Sequence, residues 1–119
     1  MRKVNSTVLS AVDTASQNGS QIDSNQLISA SFQVVFGDAT AAGTLKIQAS
    51  NDICNDQYQP ATFTVTNWTD IPNATATIAS GASALITINQ LSYRWLRAVY
   101  TRSSGGSTTI VVNMFALSV

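Results

Sequence analysis

The sequence predicts an all-β fold: a single-domain, two-sheet β-sandwich of jelly-roll or Greek-key-like type, with about eight strands. Charged residues make up only 10% of the 119 residues, and Ser, Thr, Asn and Gln supply most of the polarity. Glutamate is absent, whereas long helices usually carry Glu–Lys pairs on their solvent face. Short runs of alternating apolar and polar residues recur at intervals of about 8–12 residues, separated by turn residues.

The N-terminal part is the least regular. Residues 4–12 alternate weakly, and residues 13–24 are rich in Ser, Asn, Gln and Gly, which is typical of a loop. We therefore predict a polar N-terminal strand or arm in residues 1–24 and the sandwich domain in residues 25–119. Such an arm could become ordered on a neighbouring molecule.

The next two segments carry the clearest strand patterns. Residues 26–36 and 44–50 both alternate with a period of two, which predicts two half-buried strands. The apolar positions are Ala30, Phe32, Val34 and Phe36 in the first strand, and Leu45, Ile47 and Ala49 in the second. The short connection at residues 37–43 begins and ends with glycine, so the pair is predicted to form a hairpin.

The middle of the chain contains shorter elements. Residues 62–66 predict a short strand, and residues 67–72 predict a bend or an edge segment because they include Pro72. Residues 75–79 and 84–89 predict two strands joined by a Gly-containing turn.

The C-terminal part predicts another hairpin, with strands at residues 93–102 and 108–117 around a Ser-Ser-Gly-Gly-Ser loop. The even positions of its first strand are apolar in the middle and are expected to face the core. The odd positions include Trp95 and Arg97. This second face is either covered by loops, with Arg97 bound to an Asp, or part of an interface, where Trp, Tyr and Arg are enriched.

Several classes of chemistry are excluded or disfavoured. There is no histidine, and Cys54 is the only cysteine, which excludes a Ser-His-Asp triad, an intramolecular disulfide and the usual zinc sites. All six Asp lie in predicted loops or turns. The cluster in the polar loop at residues 51–60 lacks the spacing of a calcium loop and predicts a plain turn. We therefore expect no enzymatic activity, no cofactor, no metal and no small-molecule substrate.

Charge and hydropathy limit the partners. The formal net charge is zero, which argues against nucleic-acid binding. No apolar run reaches the roughly 18 residues of a membrane span, and residues 1–7 lack the apolar core of a signal peptide. We therefore expect no membrane partner and synthesis in a cytoplasm.

Three stretches resemble a known group of proteins. They are Gly-Thr-Leu-Lys-Ile-Gln-Ala-Ser-Asn-Asp at residues 43–52, Asn-Trp-Thr-Asp-Ile-Pro at residues 67–72, and Tyr-Arg-Trp-Leu-Arg-Ala-Val-Tyr-Thr at residues 93–101. Together they resemble small β-sandwich virion proteins of tailed bacteriophages, among them capsid decoration (cement) proteins and some tail-associated proteins. The resemblance extends over residues 32–119 and rests on structural rather than catalytic motifs.

The resemblance implies a structural virion protein that decorates and cements the outer capsid by bridging major-capsid subunits, and that is made in the bacterial host cytoplasm. The implied partners are the major capsid protein and further copies of the same chain. The candidate interface residues are Arg2, Lys3, Trp68, Trp95 and Arg97. The alternative is a tail- or fibre-associated module that binds glycan through Trp68 or Trp95. A decoration protein should present a broad, flat surface of mixed polarity, and a glycan-binding module should present a Trp in a concave site.

Overall fold

The computed structural model describes residues 2–54 and 63–119. These residues form nine strands and no helix. The strands are β1 (Arg2–Val12), β2 (Gln17–Asn18), β3 (Ile22–Asp23), β4 (Leu27–Phe36), β5 (Ala42–Ser50), β6 (Thr69–Ile78), β7 (Ala84–Ile88), β8 (Trp95–Ser104) and β9 (Thr109–Ser118). The prediction of an all-β, two-sheet sandwich is confirmed.

The strands form two antiparallel sheets. Sheet A has the strand order β1-β9-β4-β7. Sheet B has the order β2-β8-β5-β6, and β3 also pairs with β8. Strands that are adjacent in a sheet are mostly distant in the sequence, so the sheets are held together by long-range pairing.

The two predicted hairpins are wrong, and the two strands predicted around the turn at residues 80–83 do not pair with each other either. The strand pairs β4 and β5, β6 and β7, and β8 and β9 each divide between sheet A and sheet B. The connections between them contain four or five residues, which is long enough to cross the roughly 10 Å between packed sheets. Alternation of apolar and polar residues shows which side of a strand faces the core. It does not show whether the next strand pairs with it in the same sheet or packs against it in the other sheet.

The core lies between the two sheets, and the predicted inward positions fill it. Apolar side chains from both sheets are fully buried, among them Phe32, Val34, Leu45, Ile47, Leu96, Ile110 and Val112. Each contributes roughly 1.5–3 kcal/mol of burial free energy. Tyr100 is also buried and donates its hydroxyl to the backbone oxygen of Ala42, at 3.1 Å. The even-numbered residues in the middle of β8, Leu96, Ala98 and Tyr100, therefore face the core, as predicted.

The segment before β6 differs from the prediction. Residues 63–66, which the sequence assigned to a strand, pair with no other strand, and residue 62 lies outside the described part. The sequence predicts a bend or an edge segment at residues 67–72; residues 69–72 begin β6, an edge strand of sheet B, which continues into the strand predicted at residues 75–79. Pro72 lies where the register of β6 against β5 shifts between Lys46 and Gln48, so its missing N–H interrupts no regular ladder.

Residues 2–24, expected as a polar strand or arm, contain β1, β2 and β3. β1 pairs antiparallel with β9 from Arg2 opposite Ser118 to Val12 opposite Thr109, with a register shift between Thr7 and Leu9. β2 and β3 pair with β8 on the other sheet. The chain thus crosses from sheet A to sheet B within this segment.

Candidate interaction surfaces

The five predicted interface residues do not form one surface. Arg2 and Lys3 are exposed at the start of β1, in sheet A. Trp68 and Arg97 contact each other on the outer side of sheet B. Trp95, at the start of β8, is only 1% exposed.

We call residues 63–68 the covering segment, because the ring of Phe63 within it covers Trp95. The ring of Phe63 stacks on it, with a centroid distance of 5.6 Å and an interplanar angle of 24°. The indole Nε1–H donates to the backbone oxygen of Asp52, at 3.2 Å. The guanidinium of Arg94 lies 4.2 Å from the ring centroid. In this arrangement the Trp95 ring is not accessible to a partner or a glycan.

Arg97 is half-buried and is held by neutral groups. Its guanidinium carbon lies 4.6 Å from the centroid of the Trp68 ring, and its Nε–H donates to Oε1 of Gln48, at 2.8 Å. Burial lowers the pKa of the Arg97 guanidinium from its ordinary value. In the described part of the chain the expected ion pair with an Asp is not found, and Gln48 occupies that place.

Asp52 and Gln21 hold the covering segment in position. The Asp52 carboxylate accepts from the backbone N–H groups of Thr66 (2.9 Å) and Asn67 (3.1 Å), and from the Asn67 side chain (2.9 Å). These donors, first the Thr66 N–H, lower the pKa of Asp52 to about 2. Gln21 accepts from the Val65 N–H and donates to the oxygen of Phe63. Asp52 therefore caps backbone, as predicted for a polar turn, and residues 55–60 of the predicted loop lie outside the described part.

The outer face of sheet A is a larger surface, and of its residues only Lys3 was among the five predicted interface residues. Its side chains alternate along each strand with the buried core residues, and neighbouring strands place them in rows. We call this surface the open face; it consists of Lys3, Asn5, Thr7, Ser31, Gln33, Val35, Leu85, Thr87, Val111, Asn113, Phe115 and Leu117. Lys3 is its only charged residue.

The open face combines exposed apolar side chains with neutral polar ones. Leu85 is 68% exposed and Phe115 is 44% exposed. Around them lie hydroxyl and amide groups, and Thr7 donates to Oδ1 of Asn113, at 2.8 Å. A depression of about 560 Å³ is lined by these side chains. The open face is therefore a broad surface of mixed polarity.

The corresponding face of sheet B is more charged and partly covered. Lys46 and Asp70 form an ion pair at 3.2 Å, and Gln48 donates to Asp70, at 2.8 Å. The Gln48 bond, followed by the Lys46 contact, lowers the pKa of Asp70. The outer face of sheet B therefore carries charged groups, and the segment that contains Trp68 covers part of it. The open face has neither feature to the same extent.

Residues 2–54 and 63–119 contain no group of three or more His, Cys, Asp or Glu side chains placed to hold a metal ion. Within those same ranges, no helix is long and apolar enough to cross a membrane.

No protein-family model and no curated protein matches the chain. Solved structures share its fold. The SPBc2 prophage-derived protein YomS superposes with a TM-score of 0.62 at 8% identity, over 98% of this chain and 94% of YomS. The PBSX exported protein XepA superposes with a TM-score of 0.68 at 16% identity, over 98% of this chain and 37% of XepA. At these identities the similarity is one of fold.

Proposed function

We propose that the protein is a structural component of a tailed-bacteriophage particle, which decorates and cements the outer capsid by bridging major-capsid subunits through the open face. The observation that carries this proposal is the open face itself, a wide sheet surface with exposed apolar groups and a single charge. The three stretches that resemble phage virion proteins support a phage origin. The fold shared with a prophage-derived protein supports it too.

The size of the open face suits stable contact. Three strands of roughly ten residues and one of five, spaced about 4.8 Å apart, cover about 550 Å² in projection. Side-chain relief brings the accessible area close to the roughly 800 Å² that each partner buries in a standard interface. A protein of this size can therefore make one such contact with one sheet.

The chemistry of the open face favours a flat protein surface as the partner. Burying an unpaired charge is costly, whereas hydroxyl and amide groups can form hydrogen bonds across an interface. Phe115 and Leu85 provide exposed apolar area whose burial would favour association. The same face on a second copy is equally neutral, so the proposal includes self-association of the chain.

Stoichiometry in purified particles tests this function. We expect hundreds of copies per particle by quantitative mass spectrometry, with antibody labelling on heads. Recombinant protein should also bind heads emptied of DNA. A few copies per particle, with labelling confined to the tail, would contradict the capsid assignment.

A second candidate function is a tail- or fibre-associated module that binds a neutral glycan. The observation that favours it is the ring of Phe115, which is surrounded by amide and hydroxyl groups at the depression on the open face. Aromatic rings stack on sugar faces, and the neighbouring Asn and Gln side chains match sugar hydroxyls. Of the tryptophans considered for this role, Trp95 is covered by Phe63. Saturable binding of a neutral oligosaccharide, lost in Phe115→Ala, together with a tail location would favour this candidate.

A further inference from the structure

Three of the connections between the sheets are joined at one end of the sandwich by side-chain hydrogen bonds. They are residues 13–16 between β1 and β2, residues 37–41 between β4 and β5, and residues 105–108 between β8 and β9. Each connection carries the chain from one sheet to the other. Contacts between these connections therefore also hold the two sheets together.

Two carboxyl groups join these connections through a shared donor. The backbone N–H of Thr108 donates to Oδ1 of Asp13, at 2.9 Å, and to Oδ2 of Asp38, at 3.1 Å. The common donor places the two carboxyl groups side by side. Asp38 also accepts from the backbone N–H groups of Ser107 (2.9 Å) and Thr40 (2.9 Å). We call Asp13, Asp38 and Thr108 the carboxyl clasp.

Asp13 is in a poor environment for a negative charge. It has no exposed surface, and its Oδ2 is buried and accepts no hydrogen bond from any donor among the described residues. Two adjacent carboxylates, one of them buried, are costly to ionise together. The ion pairs of the described chain do not involve either residue.

The nearby polar groups do not compensate for this charge. Arg102 directs its Nε–H to the backbone oxygen of Gly105, at 2.7 Å. The Tyr100 hydroxyl donates to Ala42 rather than to a carboxyl group. The oxygen atoms of Asp38 face N–H and O–H donors, an arrangement that suits an anion and would repel a bound cation.

We propose that Asp13 and Asp38 share one proton, which the Asp13 carboxylic acid donates from Oδ2 to Asp38, so that the carboxyl clasp is a pH-sensitive lock on the three connections. Loss of this proton leaves two adjacent negative charges and loosens the crossing between β1 and β2. The lock is independent of the proposed capsid function, because it lies in the connections and not on the open face.

The pKa shifts of Asp13 and Asp38 have the directions that this geometry requires. Burial, followed by the hydrogen bond with Asp38, raises the pKa of Asp13 above its ordinary value of 3.8. The N–H groups of Ser107 and Thr40 hold the pKa of Asp38 well below its usual range. The proton therefore resides on Asp13. Because the folded-state pKa of Asp13 is raised, its stabilising contribution is complete below 3.8 and is lost as pH rises through the raised value.

The test compares the wild type with Asp13→Asn, whose amide keeps a neutral donor facing Asp38. We would measure the melting temperature between about pH 4 and 9, a range that spans the titration of a raised carboxyl group. As pH rises, the wild type should lose about 5 °C or more relative to Asp13→Asn. The matched control is Asp70→Asn, on sheet B, whose carboxylate has a lowered pKa and should show a difference only in acid.

Two results would overturn the proposal. One is a melting-temperature difference between the wild type and Asp13→Asn that stays constant over the whole range. The other is an NMR titration of the wild-type Asp13 carboxyl carbon with a midpoint at or below 3.8, a readout that does not require the variant to fold.

Discussion

Phe63 stacks on Trp95 at a centroid distance of 5.6 Å, and this contact turns a predicted interface residue into a covered one. The two residues lie on different parts of the chain, because Phe63 belongs to the unpaired segment before β6 and Trp95 begins β8. Stacking of this kind contributes about 0.5–1.5 kcal/mol beyond the burial of area. The covering segment is therefore part of the stable sandwich and shields the outer face of sheet B.

Removing the covering ring should expose the indole. Phe63 is half-buried, so we expect Phe63→Ala to lower the free energy of unfolding by about 1–3 kcal/mol, less than a full core truncation. The fluorescence maximum of Trp95 should shift to longer wavelength as water reaches the ring. Urea denaturation and emission spectra, recorded in a Trp68→Phe background, measure the two effects. An unchanged emission maximum would show that Phe63 does not cover Trp95.

The contact between Arg97 and Trp68 gives a second prediction. Arg97→Lys keeps the charge but loses the planar stacking and the Nε bond to Gln48. We expect a loss of about 0.5–1.5 kcal/mol in the free energy of unfolding, measured by chemical denaturation. The matched control is Arg2→Lys, because Arg2 is exposed at the end of β1. Equal midpoints for the two variants would contradict a stabilising role for the Arg97 contacts.

The sequence predicted the core but not the pairing of strands. The alternation of Phe32 with its neighbours places the side chain inward in any sandwich, so this prediction needed no knowledge of the partner strand. Whether β4 pairs with β5 or lies opposite it depends on the path of the connection, and a Gly-containing loop of five residues permits both. The sequence therefore predicted which side chains face the core, but not which strands pair with each other.

The candidate surfaces were harder to predict for the same reason. Phe115 and Ser31 are neighbours because β9 pairs with β4 in one particular register, across more than eighty residues of sequence. The outward polar positions of residues 26–36 were visible in the alternation, and this was the available signal for the open face. The aromatic and cationic residues that lie close together in the sequence, Trp95 and Arg97, instead contact Phe63 and Trp68 on the outer side of sheet B.

The hydrogen bonds to the Asp52 carboxylate predict that the protein loses stability in acid. The folded-state pKa of Asp52 is about 2, against an ordinary value of 3.8, so its contribution is present above 3.8 and is lost as pH falls through about 2. In this window the melting temperature of the wild type should fall more steeply than that of Asp52→Asn. Asn67→Ala removes one donor to the carboxylate and should behave between the two. Parallel curves for all three proteins would contradict this account.

Gly105 predicts a strict requirement for glycine in the connection between β8 and β9. Its φ of +69° lies in the left-handed region, and an added Cβ would lie 1.8 Å from the backbone oxygen of Thr40. Gly105→Ala should therefore destabilise the protein by at least about 2 kcal/mol, because strain and a backbone clash add together. Thermal denaturation measures the loss. Ser103→Ala, an exposed change near the same loop, should leave the melting temperature nearly unchanged.

The open face gives the prediction that bears most directly on function. Gln33 lies in the row between Asn113 and Leu85, so Gln33→Glu changes one atom and introduces a negative charge into a neutral surface. Docking would bury that charge without a partner, and we expect binding to emptied phage heads to weaken at least about tenfold. Stability should change by less than about 0.5 kcal/mol, because the side chain is exposed.

The matched control is Gln90→Glu, the same chemical change at an exposed glutamine after β7 and off the open face. It adds the same net charge, so any general electrostatic repulsion from the capsid affects both variants equally. A difference between them in a binding titration therefore isolates burial of residue 33 in the contact. Equal affinities for the two variants, with both folded, would mean that the capsid meets a surface other than the open face.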